Sequence, residues 1–147
     1  MPRAVVDTTV LFAAAYRRDE SHDRALSVMR GFDDGTLPEV IVLDYVLAET
    51  INGITTHAGH DAAIDFLDRV ESSTRFHLDS PTANCRAKGK ALFRQHEPLS
   101  FVDACIVAYM ETTGLDYLYA LDDDFDAVEG VRRLATPANP YDPNEHE

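Results

Sequence analysis

Carboxylates are the residues of this chain best placed to do chemistry, and four stretches position them for it. Asp7 follows the apolar run Ala4-Val5-Val6 and precedes another apolar stretch. Glu49 sits inside a helical pattern, with Asn52 on the same face. Asp103 is the only charge from Ser100 through Met110, in a segment apolar nearly all round. A lone carboxylate buried there would need a partner, a hydrogen bond or a metal. Asp122-Asp123-Asp124-Phe125-Asp126 packs four aspartates into five positions, and a cation would relieve their repulsion. Phe125 is expected to anchor that turn to the core. Each signal also has a plain structural reading. Asp7 could cap a helix, Glu49 could be solvated, Ser100 and Asp103 fit a capping box, and the aspartate run could be a solvated turn.

The elements around these residues give them a common address. Ala4–Val6 reads as a buried strand, and Thr8 to Arg17 as an apolar helix. Ser21 is expected to cap a second helix with Ala25, Val28 and Met29 inward, ending near Gly31 or Gly35. Val40–Leu43 is a second strand, and Asp44 caps a helix with the stripe Leu47, Ile51, Ile54. Gly59 breaks it before a short helix with Ala63, Ile64, Leu67 and Val70 inward. Arg75–Leu78 is a third strand. Pro81 opens a helix expected to pack through Ala83, Ala87 and Ala91, and Ser100 opens the buried one. Tyr117–Leu121 and Val131–Ala135 complete the strands. Strands alternating with helices imply an α/β sandwich with a mostly parallel sheet flanked by helices. Ligands of such sheets bind at the carboxyl ends of the strands, which singles out Asp7 and Asp122.

Bulk properties bound the rest. The 147 residues, 45% of them apolar, suit one domain with a real core. We expect it to span 1–135, with 136–147, rich in proline and poor in apolar residues, as a mobile tail. No signal peptide or membrane-length apolar run is visible, so a cytoplasmic protein with no membrane partner is expected. Cys85 and Cys105 read as small buried hydrophobes. The 26 acidic residues outnumber the 13 basic ones, giving a net charge of −13, and only Lys88 and Lys90 are lysines. This pattern is that of a halophilic-type acidic protein. In roughly molar salt the Debye length falls to about 3 Å, so distant carboxylates would hardly repel a phosphate chain.

Taken in order, four segments resemble the motif series of the PIN-domain family. They are Val5-Val6-Asp7-Thr8, Tyr45-Val46-Leu47-Ala48-Glu49-Thr50, Leu99-Ser100-Phe101-Val102-Asp103-Ala104 and Leu121-Asp122-Asp123-Asp124-Phe125. The resemblance is closest to the VapC-like toxin ribonucleases of toxin–antitoxin pairs and runs from about Ala4 to Leu134. It implies a PIN-like three-layer sandwich and a catalytic quartet Asp7, Glu49, Asp103 and Asp122. It also implies Asp124 as an accessory metal-binding acid, with Thr8 and Ser100 at small polar positions near the metals. One departure is Ala120, where the family often has Thr. The cofactor implied is Mg²⁺ or Mn²⁺, since hard oxygen ligands suit these ions. Two ions ~3.5–4 Å apart could activate a water and stabilise the leaving oxygen of a phosphodiester. The partners implied are RNA, with tRNA or rRNA as targets, a cognate antitoxin protein, and a second copy in a homodimer.

A basic stripe, Arg86, Lys90 and Arg94, recurs at i, i+4, i+8 and is a candidate RNA track, although an ordinary solvated face explains it as well. His57 and His60 form no convincing site. Two other functions compete. A haloacid-dehalogenase-like phosphatase would use Asp7 as nucleophile, but Thr9 stands where its second aspartate belongs. A catalytically silent PIN scaffold would account for Ala120 but not for four retained acids.

Overall fold

A computed structural model describes residues 2–142. Its elements in chain order are β1 (Arg3–Val6), α1 (Thr8–Ala15), α2 (His22–Asp34), β2 (Glu39–Leu43), α3 (Asp44–Ala58) and α4 (His60–Ser72). There follow β3 (Phe76–Asp79), α5 (Ala83–Gln95), α6 (Phe101–Thr113), β4 (Tyr117–Tyr119), a 3₁₀ turn (Asp123–Ala127) and β5 (Arg132–Leu134). The strands form one sheet in the order β3-β2-β1-β4-β5, and every pairing is parallel. Parallel neighbours need crossovers, which the helices supply, so the α/β architecture expected from the alternation is the one observed.

The strand order fixes where a ligand can sit. From β1 the chain moves outward through β2 to β3, then returns to the other side of β1 for β4 and β5. The sheet therefore has its topological switch point between β1 and β4, and a crevice opens at their carboxyl ends. Val6 pairs with Tyr119 in that register, and the Asp7 amide donates to the Tyr119 carbonyl at 2.9 Å.

The central strands are apolar because both their faces are covered. Val5, Val6, Val40, Val42 and Leu118 are fully buried, and Phe32 from α2 meets Phe76 and Tyr119 edge-on, at centroid distances of 5.8 and 5.0 Å. α6 is buried from Asp103 through Met110, as its all-round apolar sequence requires.

Several expected helix faces are rotated. On α3 the buried residues are Val46, Thr50 and Ile54, with Leu47 and Ile51 only half-buried. On α4, Phe66 takes the inner place expected for Ile64, which is 43% exposed. On α5 the expected Ala83, Ala87 and Ala91 face solvent, while Cys85 and Gly89 are buried and Leu92 is half-buried. The reason is close approach: a Cβ on Gly89 would lie 3.0 Å from Cys105 Sγ and 3.3 Å from its Cα. Glycine lets α5 settle directly onto α6, where alanine would hold it off. Cys85 and Cys105 are free, buried thiols, as expected.

The packed body also runs on past Ala135. Tyr119 Oη donates to the Ala138 carbonyl at 2.6 Å, Asn139 to the Thr36 carbonyl at 3.1 Å, and Tyr141 Oη to the Arg3 carbonyl at 2.8 Å. Buried Tyr119 needs a partner for its hydroxyl, and this segment provides it. The rest of the expected tail, 143–147, lies outside the described residues. Among the described residues no helix is long and apolar enough to cross a membrane.

Candidate metal centre

Asp7 ends β1 and caps α1, so the strand and the helix together fix its carboxylate. Its Oδ2 accepts the Thr9 hydroxyl at 2.8 Å and the Thr9 amide at 3.4 Å. The Thr9 hydroxyl in turn accepts the Leu121 amide at 3.0 Å. One threonine thus ties the first acid to the residue immediately before Asp122. In the sequence Thr9 stands out only as the residue at a phosphatase's second-aspartate position. The signal available was its spacing, two residues after an acid at a helix start, where side-chain capping bonds form. Thr9 also partly answers the departure at position 120. Ala120 is fully buried, with its amide on the Leu134 carbonyl, and the hydroxyl that orders this loop comes from across the crevice.

Asp103 enters from α6. Ser100 and Asp103 form the expected capping box: the Asp103 amide donates to Ser100 Oγ at 3.1 Å, and the Ser100 amide to Asp103 Oδ2 at 3.2 Å. The capping reading of Asp103 is therefore realised, and the same side chain also offers an oxygen close to Asp122 and Asp124. The Ser100 hydroxyl is engaged in that cap. Asp122 leads into the 3₁₀ turn and its Oδ1 accepts the Asp124 amide at 2.9 Å. Phe125 is fully buried beneath the turn, as expected. Arg133 clamps it from β5, donating to both oxygens of Asp126 (2.9 and 3.0 Å) and to the Ala120 carbonyl (3.2 Å).

Asp103, Asp122 and Asp124 each offer an oxygen within 4.8 Å of the other two. Asp7 lies behind them, buried and near enough to Asp103 for the two charges to oppose one another. Glu49 projects from the second turn of α3 and is exposed, yet its charge also bears on Asp103. Edge-on contact between Tyr45 and Phe101, 6.0 Å between centroids, joins the starts of α3 and α6 and so brings Glu49 to the same crevice. The trio within 4.8 Å is not the quartet expected: Asp124 stands in it, while Asp7 and Glu49 flank it.

The electrostatics are those of a site with acids in excess, Arg133 being the cation that bears on Asp122 and Asp123. Burial raises the Asp7 carboxyl to about 6, against the pull of its Thr9 bonds, and Asp103 adds to the rise. Burial also raises Asp103, with Asp122 and Glu49 reinforcing it. Asp124 is raised chiefly by the neighbouring charge of Asp122. The Thr8 hydroxyl, beside Asp7 at the start of α1, is buried without a hydrogen-bond partner among the described residues. Converging carboxylates whose repulsion a bound cation would relieve, and a hydroxyl with no partner among the described residues, together fit a hard divalent ion.

Comparison with known proteins agrees with this geometry. A family model described as PIN domain matches residues 4–131. The chain belongs to the PIN-domain family. Among solved structures it is similar to Mycobacterium tuberculosis VapC20, a sarcin–ricin loop cleaving toxin. The identity is 28% and the TM-score 0.75, covering 93% of this chain and 99% of that one. It shares its fold with Rickettsia felis VapBC2 bound to a promoter DNA fragment, at 14% identity and a TM-score of 0.67. That match covers 90% of this chain and 98% of the other. It shares it also with a Klebsiella pneumoniae toxin–antitoxin complex, at 19% identity and a TM-score of 0.60, covering 92% and 98%. No protein with a curated description matches. The haloacid-dehalogenase-like alternative is displaced by this membership, and the likeness to VapC-type PIN domains is the one the motif series implies.

The remaining expected substrate contacts lie on α5. Arg86 donates to the Pro81 carbonyl at 2.6 Å, so its guanidinium is partly engaged, whereas Lys90 and Arg94 are exposed. Lys88 pairs with Glu111 at 2.8 Å. α5, which carries Lys90 and Arg94, packs on α6, whose first turn carries Asp103.

Proposed function

We propose that this PIN domain is the endoribonuclease toxin of a toxin–antitoxin pair, hydrolysing RNA phosphodiesters with Mg²⁺ or Mn²⁺ in the cytoplasm. The observation that carries the reading is the convergence of Asp103, Asp122 and Asp124 within 4.8 Å at the switch point, with Asp7 buried behind them. Asp7 and Asp122 would hold one ion, and Glu49 and Asp103 would complete the site or hold a second, with Asp124 as accessory. When bound, such ions supply an activated water and stabilise the departing oxygen. The chain's own residues do the positioning. Thr9 and the Ser100–Asp103 box fix two ligand carboxylates, Asp7 and Asp103, before substrate arrives, and Thr8 places beside them a buried hydroxyl with no partner among the described residues. No protein nucleophile is required.

Ribosomal or transfer RNA is the substrate class in view, supported by the sarcin–ricin loop activity in the name of the 28% identical neighbour. Lys90 and Arg94, with Arg86 behind them, would meet the RNA backbone on the α6 flank. The antitoxin would lie in an apolar groove of about 310 Å³, lined by Leu11, Met29, Phe66 and Val70 and bordered by Arg30 and Arg69. An apolar segment carrying acidic residues complements such a groove, and solved neighbours are toxin–antitoxin complexes. A second copy of the chain is expected to complete a homodimer.

The test is cleavage of total RNA by purified protein at high potassium, with Mg²⁺, Mn²⁺ or EDTA, beside Asp7→Asn. Metal-dependent cleavage absent from the variant is the expected result. A folded wild type that binds no Mn²⁺ and cleaves nothing would overturn the reading.

A further inference from the structure

His57 and His60 have no part in the metal centre, but His57 belongs to a second concave feature. Its ring lies 5.3 Å from Phe12 and 5.5 Å from Tyr16, both edge-on, and Phe12 and Tyr16 are 5.5 Å apart. Around this cluster is a pocket of about 390 Å³ walled by Ala15, Tyr16, Arg17, Arg18, His57 and Ala58. Arg17 and Arg18 are exposed, and neither forms an ion pair with a described residue. In a chain of charge −13, Arg17 and Arg18 set two adjacent guanidiniums beside aromatic rings, balanced in the sequence by Asp19 and Glu20, which line the neighbouring hollow.

The pocket adjoins the catalytic crevice. A neighbouring hollow of about 370 Å³ is lined by Thr9, Phe12, Leu121 and Asp122, among others. Phe12 walls this hollow, and its ring touches the Tyr16 and His57 rings that wall the other. The segment carrying the arginines is held in place. The Asp19 amide donates to the Tyr16 carbonyl at 3.1 Å, and His22 Nδ1 meets the Ala13 carbonyl at 2.7 Å. His57 Nδ1 donates to the Gly53 carbonyl at 3.0 Å, which orients the ring and leaves Nε2 facing outward.

We propose that this pocket binds one nucleotide of the RNA strand, displaced along the chain from the phosphate held at the metal centre. The base stacks on Tyr16 and the His57 edge, and Arg17 and Arg18 meet its phosphates. α1 and α3 both end here, and the negative ends of their dipoles would turn away a phosphate alone. The two arginines offset that field, and the rings supply an attraction that any exposed base can use. Recognition is thus of single-stranded or flipped-out nucleotides, beside the ends of α1 and α3. The proposal rests on the nuclease reading above.

The experiment is fluorescence anisotropy with a short labelled single-stranded RNA in EDTA at fixed potassium, run beside metal-dependent cleavage by the wild type. Arg17→Ala/Arg18→Ala, which alters only exposed side chains, and Tyr16→Leu are each expected to weaken binding about 10- to 100-fold, with Tyr16→Phe near wild type. Melting by circular dichroism confirms that each variant folds. Wild-type cleavage combined with unaltered binding by the folded variants overturns the pocket and leaves the nuclease standing. Loss of binding only in the arginine variant overturns the stacking role. A wild type that neither cleaves nor binds RNA overturns the nuclease reading and the pocket with it.

Discussion

Asp7 and Glu49 face the same crevice from differently built surroundings. Asp7 follows a strand whose Ala4, Val5 and Val6 are fully buried, and its carboxylate is held by Thr9, which is itself bonded to the Leu121 amide. Glu49 hangs from the exposed side of α3, with no hydrogen bond of its own among the described residues. The first acid is fixed before any ion arrives, at the cost of a carboxyl raised to about 6 in the metal-free protein. The second is free to swing and loses nothing by waiting in water. A site built this way has one rigid wall that sets geometry and one adjustable wall that can follow a substrate or admit a second ion.

The sharpest way to break this contrast is Asp7→Asn. Cleavage should fall by at least the roughly 10²–10³-fold that loss of one preorganised electrostatic partner costs. The metal-free protein should meanwhile become more stable. Unfolded, Asp7 ionises near 3.8; folded, it keeps its proton to about 6. The native state therefore binds more protons between those values, and stability falls as pH rises across that window. Above pH 6 the full loss, about 3 kcal/mol, is present and the asparagine variant escapes it. In EDTA the variant should melt several degrees higher at pH 7.5 and near wild type below pH 4. A lower melting temperature at pH 7.5 would mean that the rigid wall carries no such strain.

Thr9→Val comes next. It strips a hydroxyl that serves Asp7 and Leu121 together, and should weaken Mn²⁺ binding about 10- to 100-fold, as loss of a supporting partner does at metal sites. It should destabilise the fold by about 1–3 kcal/mol. Calorimetric titration and urea denaturation would read the two effects. If Mn²⁺ affinity were unaltered, Thr9 would be structural only.

The smallest stability effect is expected at Glu49→Gln, within about ±0.5 kcal/mol because the side chain is exposed. Its cleavage loss should be smaller than that of Asp7→Asn and partly recovered by raising Mn²⁺. Loss equal to that of Asp7→Asn, and unresponsive to metal, would show that Glu49 is as fixed as its counterpart.

The same contrast explains what could be read in the chain beforehand. Asp7 and Asp122 were legible because a short apolar run ending in an acid has one physical reading in a parallel sheet. Asp103 was legible because a single charge in an apolar helix demands a partner. The inner faces of α4 and α5 were not. Alanine at helical spacing suggests packing, but the choice at α5 turned on Gly89, whose missing side chain lets Cys105 approach. On α4 a phenylalanine displaced the expected isoleucine because the larger ring fills more of the space beside Val70. The link through Thr9 joins residues 112 positions apart, a pairing that periodicity does not encode. The segment after Ala135 looked loose by composition, and its order comes from tyrosine hydroxyls that need acceptors.

One of those hydroxyls has a practical consequence. The bond from Tyr141 to the Arg3 carbonyl brings the two extremities of the described chain together at the start of β1, while the acidic crevice opens at the strands' opposite end. A tether attached at either extremity would leave from the same pole of the molecule. Anchored to a bead or sensor chip by such a tether, the protein would present its crevice outward, and both attachment choices should give equivalent orientation.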